Sequence, residues 1–185
     1  MREPKPETRL ERQGRQSAPE ALAELPVHCD VGTKKNSKGY KAWIGFKLHA
    51  DVTDCCLPIS VALTAASLYD SQVAIPLMKL TSARVDYLYD VMDAAYDAQS
   101  IYAVSRSLGH VPIIDRNGRG REVIPLAPHE AARYKERTVA ERFNSRLKEE
   151  FGGSNVMVRG AQKVRLHLMF GVIALFADQL LKLIN

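Results

Sequence analysis

From Pro26 onward the hydrophobic period of the chain switches back and forth between two and about 3.6 residues, and this order of elements restricts the possible folds more than any single residue does. Three extended runs come first: Val27 to Val31, Ala42 to Val52 with Trp43, Gly45, Lys47 and His49 on one alternating face, and Leu57 to Thr64. Asn36, Ser37, Lys38 and Gly39 separate the first two, and Thr53 and Asp54 the next, which predicts three strands joined as hairpins. Asp70 and Ser71 then cap a helix running to about Ser82 through Val73, Ile75, Leu77, Met78 and Leu80, with Pro76 tolerated near its start. Tyr87 to Met92 reads as a buried strand ending at Asp93, Gln99 to Leu108 as a helix stopped by Gly109, and His110 to Ile114 as a further strand. A basic, turn-rich loop from Arg116 to Pro128 leads to two closing helices, giving a mixed α/β order with no internal repeat.

Composition sets the outer limits. At 185 residues and 46% hydrophobic content, one domain over 25–185 can bury a real core. Residues 1–24 are rich in charge and poor in large apolar side chains, so a flexible polar tail or the remnant of an N-terminal region is expected there. The net charge of +5 and pI near 9.2 suit a polyanionic partner without demanding one. Cys29, Cys55 and Cys56 are odd in number and lack the spacing of zinc or thioredoxin-like sites, so reduced thiols are the simplest reading. The opening MREPKPETRLERQGRQ has no apolar core of a signal peptide, and a cytoplasmic location is expected. The apolar segment Val164 to Ile184 is interrupted by Arg165, His167, Asp178, Gln179 and Lys182. Its longest uncharged run, Leu168 to Ala177, falls short of the roughly 20 residues a bilayer needs, which predicts a buried terminal helix and no membrane contact.

Chemistry concentrates in the first closing helix. Tyr134, Arg137, Glu141 and Lys148 lie at offsets of 0, 3, 7 and 14, so on one continuous helix they fall within about 60° of one another. A phenol, a carboxylate and two cations would line that stripe, while Ala140, Phe143, Leu147 and Phe151 supply an apolar face for packing. Two strand-end carboxylates accompany it. Asp30 lies in Val27-His28-Cys29-Asp30-Val31-Gly32, ahead of the basic turn Lys34-Lys35-Asn36-Ser37-Lys38, and Asp93 follows the apolar run Val91-Met92, where ligand sites of open α/β sheets form. Taken singly each has an ordinary role, Asp30 and Asp93 as turn or capping residues and Glu141 as a partner of Arg137 or Arg142. Asp70 and Asp97 read as caps and Asp51 and Asp54 as turn residues, with Asp115 a further carboxylate. Trp43 reads as strand-face packing, and His49 alone as a packed or solvated residue.

Together these residues resemble the Tyr-x2-Arg-x3-Glu-x6-Lys signature of bacterial insertion-sequence transposases with a DDE catalytic triad. Asp93-Ala94-Ala95-Tyr96-Asp97 is similar to the Asp-x-Gly-Tyr-Asp segment of that family, with Ala95 where glycine is usual. Ile44-Gly45-Phe46-Lys47-Leu48-His49 is similar to its Tyr-Gly-x-Lys-x-His strand, and Leu63 to Asp70 to its Thr-x-Ala-Asn-x-x-Asp segment. The resemblance spans about residues 28 to 180. It implies a ribonuclease-H-like mixed sheet with helices on both faces, in which the strands of Asp30 and Asp93 lie side by side. It also implies Asp30, Asp93 and Glu141 as catalytic ligands of two Mg²⁺ or Mn²⁺ ions. Metal pairs about 3.5–4 Å apart activate and stabilise the two oxygens of a phosphodiester displacement, and hard cations of this kind take oxygen ligands. Double-stranded DNA at element ends and target would be the partner, bound by a homodimer, with metal-dependent cleavage and 3′-hydroxyl strand transfer as the reaction. Tyr134, Arg137 and Lys148 would contact the DNA backbone, joined by Lys34, Lys35, Lys47, His49 and Arg119. Two other readings stand beside this one: a nuclease using the same ligands without strand transfer, and a truncated, inactive DNA-binding remnant that lacks the family's helical N-terminal region.

Overall fold

The computed structural model describes residues 6–36, 39–118 and 125–184. In chain order its elements are α1 (Arg9–Arg15), α2 (Ala18–Ala23), β1 (Asp30–Asn36), β2 (Gly39–Val52), β3 (Pro58–Ala65), α3 (Ala74–Ser82), β4 (Tyr89–Met92), α4 (Gln99–Ser107), β5 (Val111–Ile114), α5 (Pro128–Tyr134), α6 (Thr138–Glu149) and α7 (Ala161–Ile184). Single 3₁₀ turns cover Asp70–Val73, Ala94–Tyr96 and Lys135–Arg137. The architecture is mixed α/β. The chain divides into two compact units: Leu25–Tyr69 with Lys135–Asn185 forms an antiparallel unit, and Met1–Glu24 with Asp70–Tyr134 a parallel one.

The antiparallel unit is a three-stranded sheet in the order β1-β2-β3, carrying α6 and α7. β1 pairs with the first half of β2, from Asn36↔Gly39 to Asp30↔Gly45, and β3 with the second half, from Phe46↔Ala65 to Val52↔Pro58 with a register shift between Asp51 and Val52. The segment predicted as a basic turn is therefore strand as far as Asn36; Lys34 and Lys35 pair with Lys41 and Tyr40, and ladder bonding overrides a weak local preference. Ser37 and Lys38 lie outside the described residues. Gly32 faces Trp43, and a Cβ built on it would stand 2.5 Å from the indole ring, so only glycine lets the tryptophan lie across β1. Trp43 is thus a packing residue of the strand face, as predicted.

Helix α6 buries Val139, Phe143 and Leu147 against Val172 and Leu175 of α7 and against Leu48, Ala50, Val52 and Val61 of the sheet. A second cluster joins Leu63 to Val164 and Leu168. Gly171 lets α7 approach the chain after α6, since a Cβ there would meet the Phe151 carbonyl at 2.5 Å. Arg146 clasps the two helices: its guanidinium donates to Asp178 Oδ2 at 2.5 Å, to Gln179 Oε1 at 2.9 Å and to Glu150. The terminal helix is only half what the sequence predicts. One face, Val164, Leu168, Gly171, Val172 and Leu175, is buried, while Leu166, Phe170, Ile173, Leu181 and Ile184 are exposed. By length and composition alone α7 is also apolar enough to cross a membrane. The sheet needs a single helical stripe, so the rest of an apolar helix is left without an internal partner.

In the parallel unit, β4 and β5 run parallel from Tyr89↔Val111 to Met92↔Ile114. Their Met92 and Ile114 enter a core of Ala74, Ile75 and Met78 from α3 and Ile101, Tyr102 and Val104 from α4. The tail predicted for residues 1–24 is, over 9–23, two short helices, each with a full capping box, Thr8 with Glu11 and Ser17 with Glu20. Gln13 and Ala21 are fully buried, Gln13 Nε2 donates to the Gln72 carbonyl at 2.9 Å, and Lys79 Nζ donates to the Gln13 and Gly14 carbonyls at 2.9 and 3.0 Å. High charge content concealed this because the charges serve as caps and the few small apolar residues do the packing. A second correction concerns pairing: among the described residues β1 bonds to β2 and β4 to β5, not β1 to β4. Asp90 on β4 is buried and accepts three bonds, from Ser105 Oγ at 2.5 Å, His110 Nδ1 at 3.1 Å and Tyr87 OH at 3.0 Å. Replacing Asp90 by Ala strands three partners, two of them buried, and urea unfolding should show a loss of about 2–4 kcal/mol relative to wild type.

Candidate active site

Asp30 opens β1, and its carboxylate is held chiefly by Ser67. Ser67, just after β3, donates its backbone N–H to Oδ1 at 3.0 Å and its hydroxyl to Oδ2. The Ser67 hydroxyl foremost, with the N–H groups of Ser67 and Ala66 and the nearby His28, holds the Asp30 carboxyl below the usual carboxylate range against the opposing effect of desolvation. His28 Nε2 stands 3.7 Å from Oδ2. Asp30 is therefore fixed as an anion at the sheet's end, with its side chain still 22% exposed.

On the same sheet, Lys34 and Lys41 are directly paired across the ladder, and both are exposed. Like charges in that position repel, so a bound anion would relieve them. Lys35 faces Tyr40. Lys47 donates to the Leu68 carbonyl at 2.7 Å and lies 5.9 Å from the centre of the Trp43 ring, which ties it to the segment that holds Asp30. His49, expected as a DNA contact, is only 9% exposed, and its Nε2 lies 2.8 Å from Thr64 Oγ1. The Thr64 hydroxyl also lies 3.1 Å from the Ala65 carbonyl. His49 lies on the face of β2 opposite Leu48 and Ala50, beside Thr64 of the neighbouring strand.

The helical stripe is broken. Tyr134 ends α5, Lys135–Arg137 form a 3₁₀ turn, and Glu141 and Lys148 belong to α6. A 3₁₀ turn advances about 120° per residue rather than 100°, so three residues shift the phase of what precedes them by about 60°. Arg137, Glu141 and Lys148 remain in one unit, whereas Tyr134 falls in the other. Arg137 Nη1 donates to Glu141 Oε1 at 2.8 Å; the Glu141 side chain is 64% exposed and Lys148 is exposed. The second Glu141 oxygen is available to other ligands, and α6's buried face fixes the direction in which it points.

Asp93 follows β4 and caps the 3₁₀ turn after it, Oδ1 accepting from the Ala95 N–H at 2.9 Å. Capping engages one oxygen only. The register Met92↔Ile114 brings Asp115 beside it at the carboxyl end of the two parallel strands, with Asp115 N–H donating to the Met92 carbonyl at 3.3 Å. That neighbour was visible in the sequence only as a second apolar run ending in Asp, and the pairing of β4 with β5 is what gives it meaning. Asp97 closes the 3₁₀ turn through its backbone N–H, while its carboxylate accepts from Tyr102 OH at 3.2 Å and the Asn117 N–H at 3.0 Å, with Arg116 at 3.6 Å. Arg116 also lies 5.0 Å from the Tyr102 ring centre. Arg119 and Arg121 lie outside the described residues. All three cysteines are free, Cys56 buried and Cys29 exposed.

The donor types suit a hard cation, being carboxylates that each retain further lone pairs. Among the described residues, however, no group of three or more His, Cys, Asp or Glu is gathered closely enough to hold a metal. Asp30 and Glu141 belong to the antiparallel unit and Asp93 to the parallel one.

A model of the transposase DDE domain family matches residues 11–177. The chain belongs to that family, and its fold is the ribonuclease-H-like one that the family implies. No curated protein and no solved structure matches it. Ser67→Ala removes the chief cause of the lowered Asp30 pKa, so an NMR carboxyl titration should find that pKa moved up. A depressed folded pKa adds stability above the unfolded value that is lost as pH falls through the folded one. The stability difference between wild type and S67A should accordingly be present at neutral pH and shrink in strong acid.

Proposed function

We propose that this chain is the catalytic domain of an insertion-sequence transposase that cleaves DNA and joins the freed 3′ hydroxyl to a target strand. The observation carrying the reading is the family match over 11–177, which contains Asp30, Asp93 and Glu141 in the order the triad requires. Members of the family use divalent metal ions. Asp30, Asp93 and Glu141 would hold two Mg²⁺ or Mn²⁺, which supply activation of the attacking oxygen and stabilisation of the leaving one.

The chain's own residues account for the rest. Asp30, kept anionic by Ser67, and Asp93, kept in one rotamer by its cap, are presented without a protonation step at neutral pH in the first case and with little rotamer freedom in the second. Arg137 orients Glu141 through their ion pair and, with Lys148 one face along α6, neutralises backbone phosphate. Tyr134 offers a hydroxyl to phosphate. Lys34 and Lys35 on β1 and Arg119 in the loop extend the contact to the duplex, and Lys47 and His49 position the strand on which they lie. DNA in this reading is bound by two copies of the chain, acting in the cytoplasm. An inactive DNA-binding copy is the alternative, favoured by the engagement of both Asp30 oxygens with Ser67, with which a metal would have to compete.

The test compares wild type with Asp93→Asn, which retains an oxygen to cap Ala95, on end-containing DNA with Mg²⁺ or Mn²⁺. Cleaved and joined products should form with wild type only and vanish on chelation; equal products from both proteins would remove Asp93 from the mechanism. Cleavage without joined product would identify a nuclease, and calorimetry showing no metal uptake by wild type would identify the inactive copy.

A further inference from the structure

Helix α7 has two apolar faces. Leu166, Phe170, Ile173, Ala177, Leu180 and Ile184 recur at spacings of 4, 3, 4, 3 and 4 and fall within about 80° of one another at 100° per residue. All six are exposed, Leu166 by 58%, Phe170 by 64%, Ile173 by 63% and Ile184 by 70%. The face buried on the sheet, centred on Leu168 and Leu175, lies diametrically opposite. A surface helix needs one apolar stripe to hold it to its core, so the second is not explained by the packing of the unit.

From this geometry we propose that the outer face of α7 is a self-association surface, docking against the same face of a second copy of the chain. Three observations select that occupant. The 4-3 alternation is the seam of two helices packed side by side, not the continuous wide stripe of a helix lying on a sheet. The exposed seam side chains from Leu166 to Ile184 offer on the order of 500 Å² a side, enough for the apolar core of an interface to which each partner gives roughly 800 Å², and a two-fold axis through the seam brings like residues together. Between Leu166 and Ile184 the charged residues are Asp178 and Lys182, both turned from the seam and occupied with Arg146 and each other at 2.5 and 2.7 Å. A helix lying on a lipid surface flanks its apolar face with cations along its length; here the flanking cations, Lys163 and Arg165, are confined to the start of the helix. The surface gives a location to the two-copy arrangement proposed above and rests on that reading.

Sedimentation velocity over a dilution series of the full chain tests it, using wild type and the pair Phe170→Glu, Ile173→Glu. Wild type should be dimeric and dissociate on dilution; the variant should be monomeric throughout with an unchanged far-ultraviolet circular dichroism spectrum. If the glutamates disturb folding, Ile173→Ala with Leu180→Ala should weaken association at least tenfold with the spectrum intact. A dimer that survives these changes refutes the seam and leaves the two-copy reading standing; a free wild type that is monomeric refutes the seam, and one that also stays monomeric on end-containing DNA refutes the two-copy reading as well. Co-sedimentation of wild type, but not the glutamate pair, with phosphatidylcholine–phosphatidylglycerol vesicles would assign the face to lipid and overturn the proposal.

Discussion

Strand β2 is the constraint on which the antiparallel unit depends. Its 14 residues pair with β1 along one half and β3 along the other, so a single ladder register fixes both neighbours. Period-two alternation then assigns each side chain a face: Lys41, Trp43, Lys47 and His49 share one, and the change of partner midway separates exposed lysine from buried imidazole. A slip of one residue would bury Lys47, expose Leu48 and move Trp43 off Gly32. The loop after β3 brings Ser67 to Asp30 only because that register holds. Position of the first acid is thus decided by hydrogen bonds made far along the strand from it.

Much of this was legible in the sequence. The three strands, the helix after Asp70, the two parallel strands and the closing helices all follow from period and punctuation, because hydrophobic burial is strong enough to mark each one. Local chemistry that depends on capping was less visible: the S/T-x-x-E pairs of α1 and α2 were outweighed by their charge content, and the turn residues near Lys34 by strand pairing. The stripe from Tyr134 to Lys148 assumed one unbroken helix, and no residue type announces the 3₁₀ turn at Lys135–Arg137. Which carboxylates are neighbours is a property of pairing, so Asp115 beside Asp93 could not be read before β4 was known to pair with β5.

Each of the three acids proposed as ligands has a second occupation. Ser67 clamps Asp30, the Ala95 N–H takes one oxygen of Asp93, and Arg137 takes one of Glu141. Such bonds fix rotamers before any substrate arrives, which lowers the ordering cost of assembling a site, while they also set a threshold that a ligand must exceed. The three carboxylates are held by means of different strength: a two-point clamp, a turn cap and a surface ion pair. Of these, the exposed Arg137–Glu141 pair is the most easily exchanged for a new partner and the most sensitive to salt.

Each unit is assembled from two separate stretches of polypeptide, with the chain passing between them after Glu24, after Tyr69 and after Tyr134. During synthesis the sheet of β1, β2 and β3 therefore leaves the ribosome long before α6 and α7 exist to cover it, and its apolar side waits in water for the last quarter of the protein. Loop closure over such a separation is slow, and an uncovered sheet is prone to sticking to its like. A copy cut short between α6 and α7 would keep Asp30, Asp93 and Glu141 and still lack the helix that covers its own core, so lost activity in such a copy would be a failure of folding before it was a failure of chemistry.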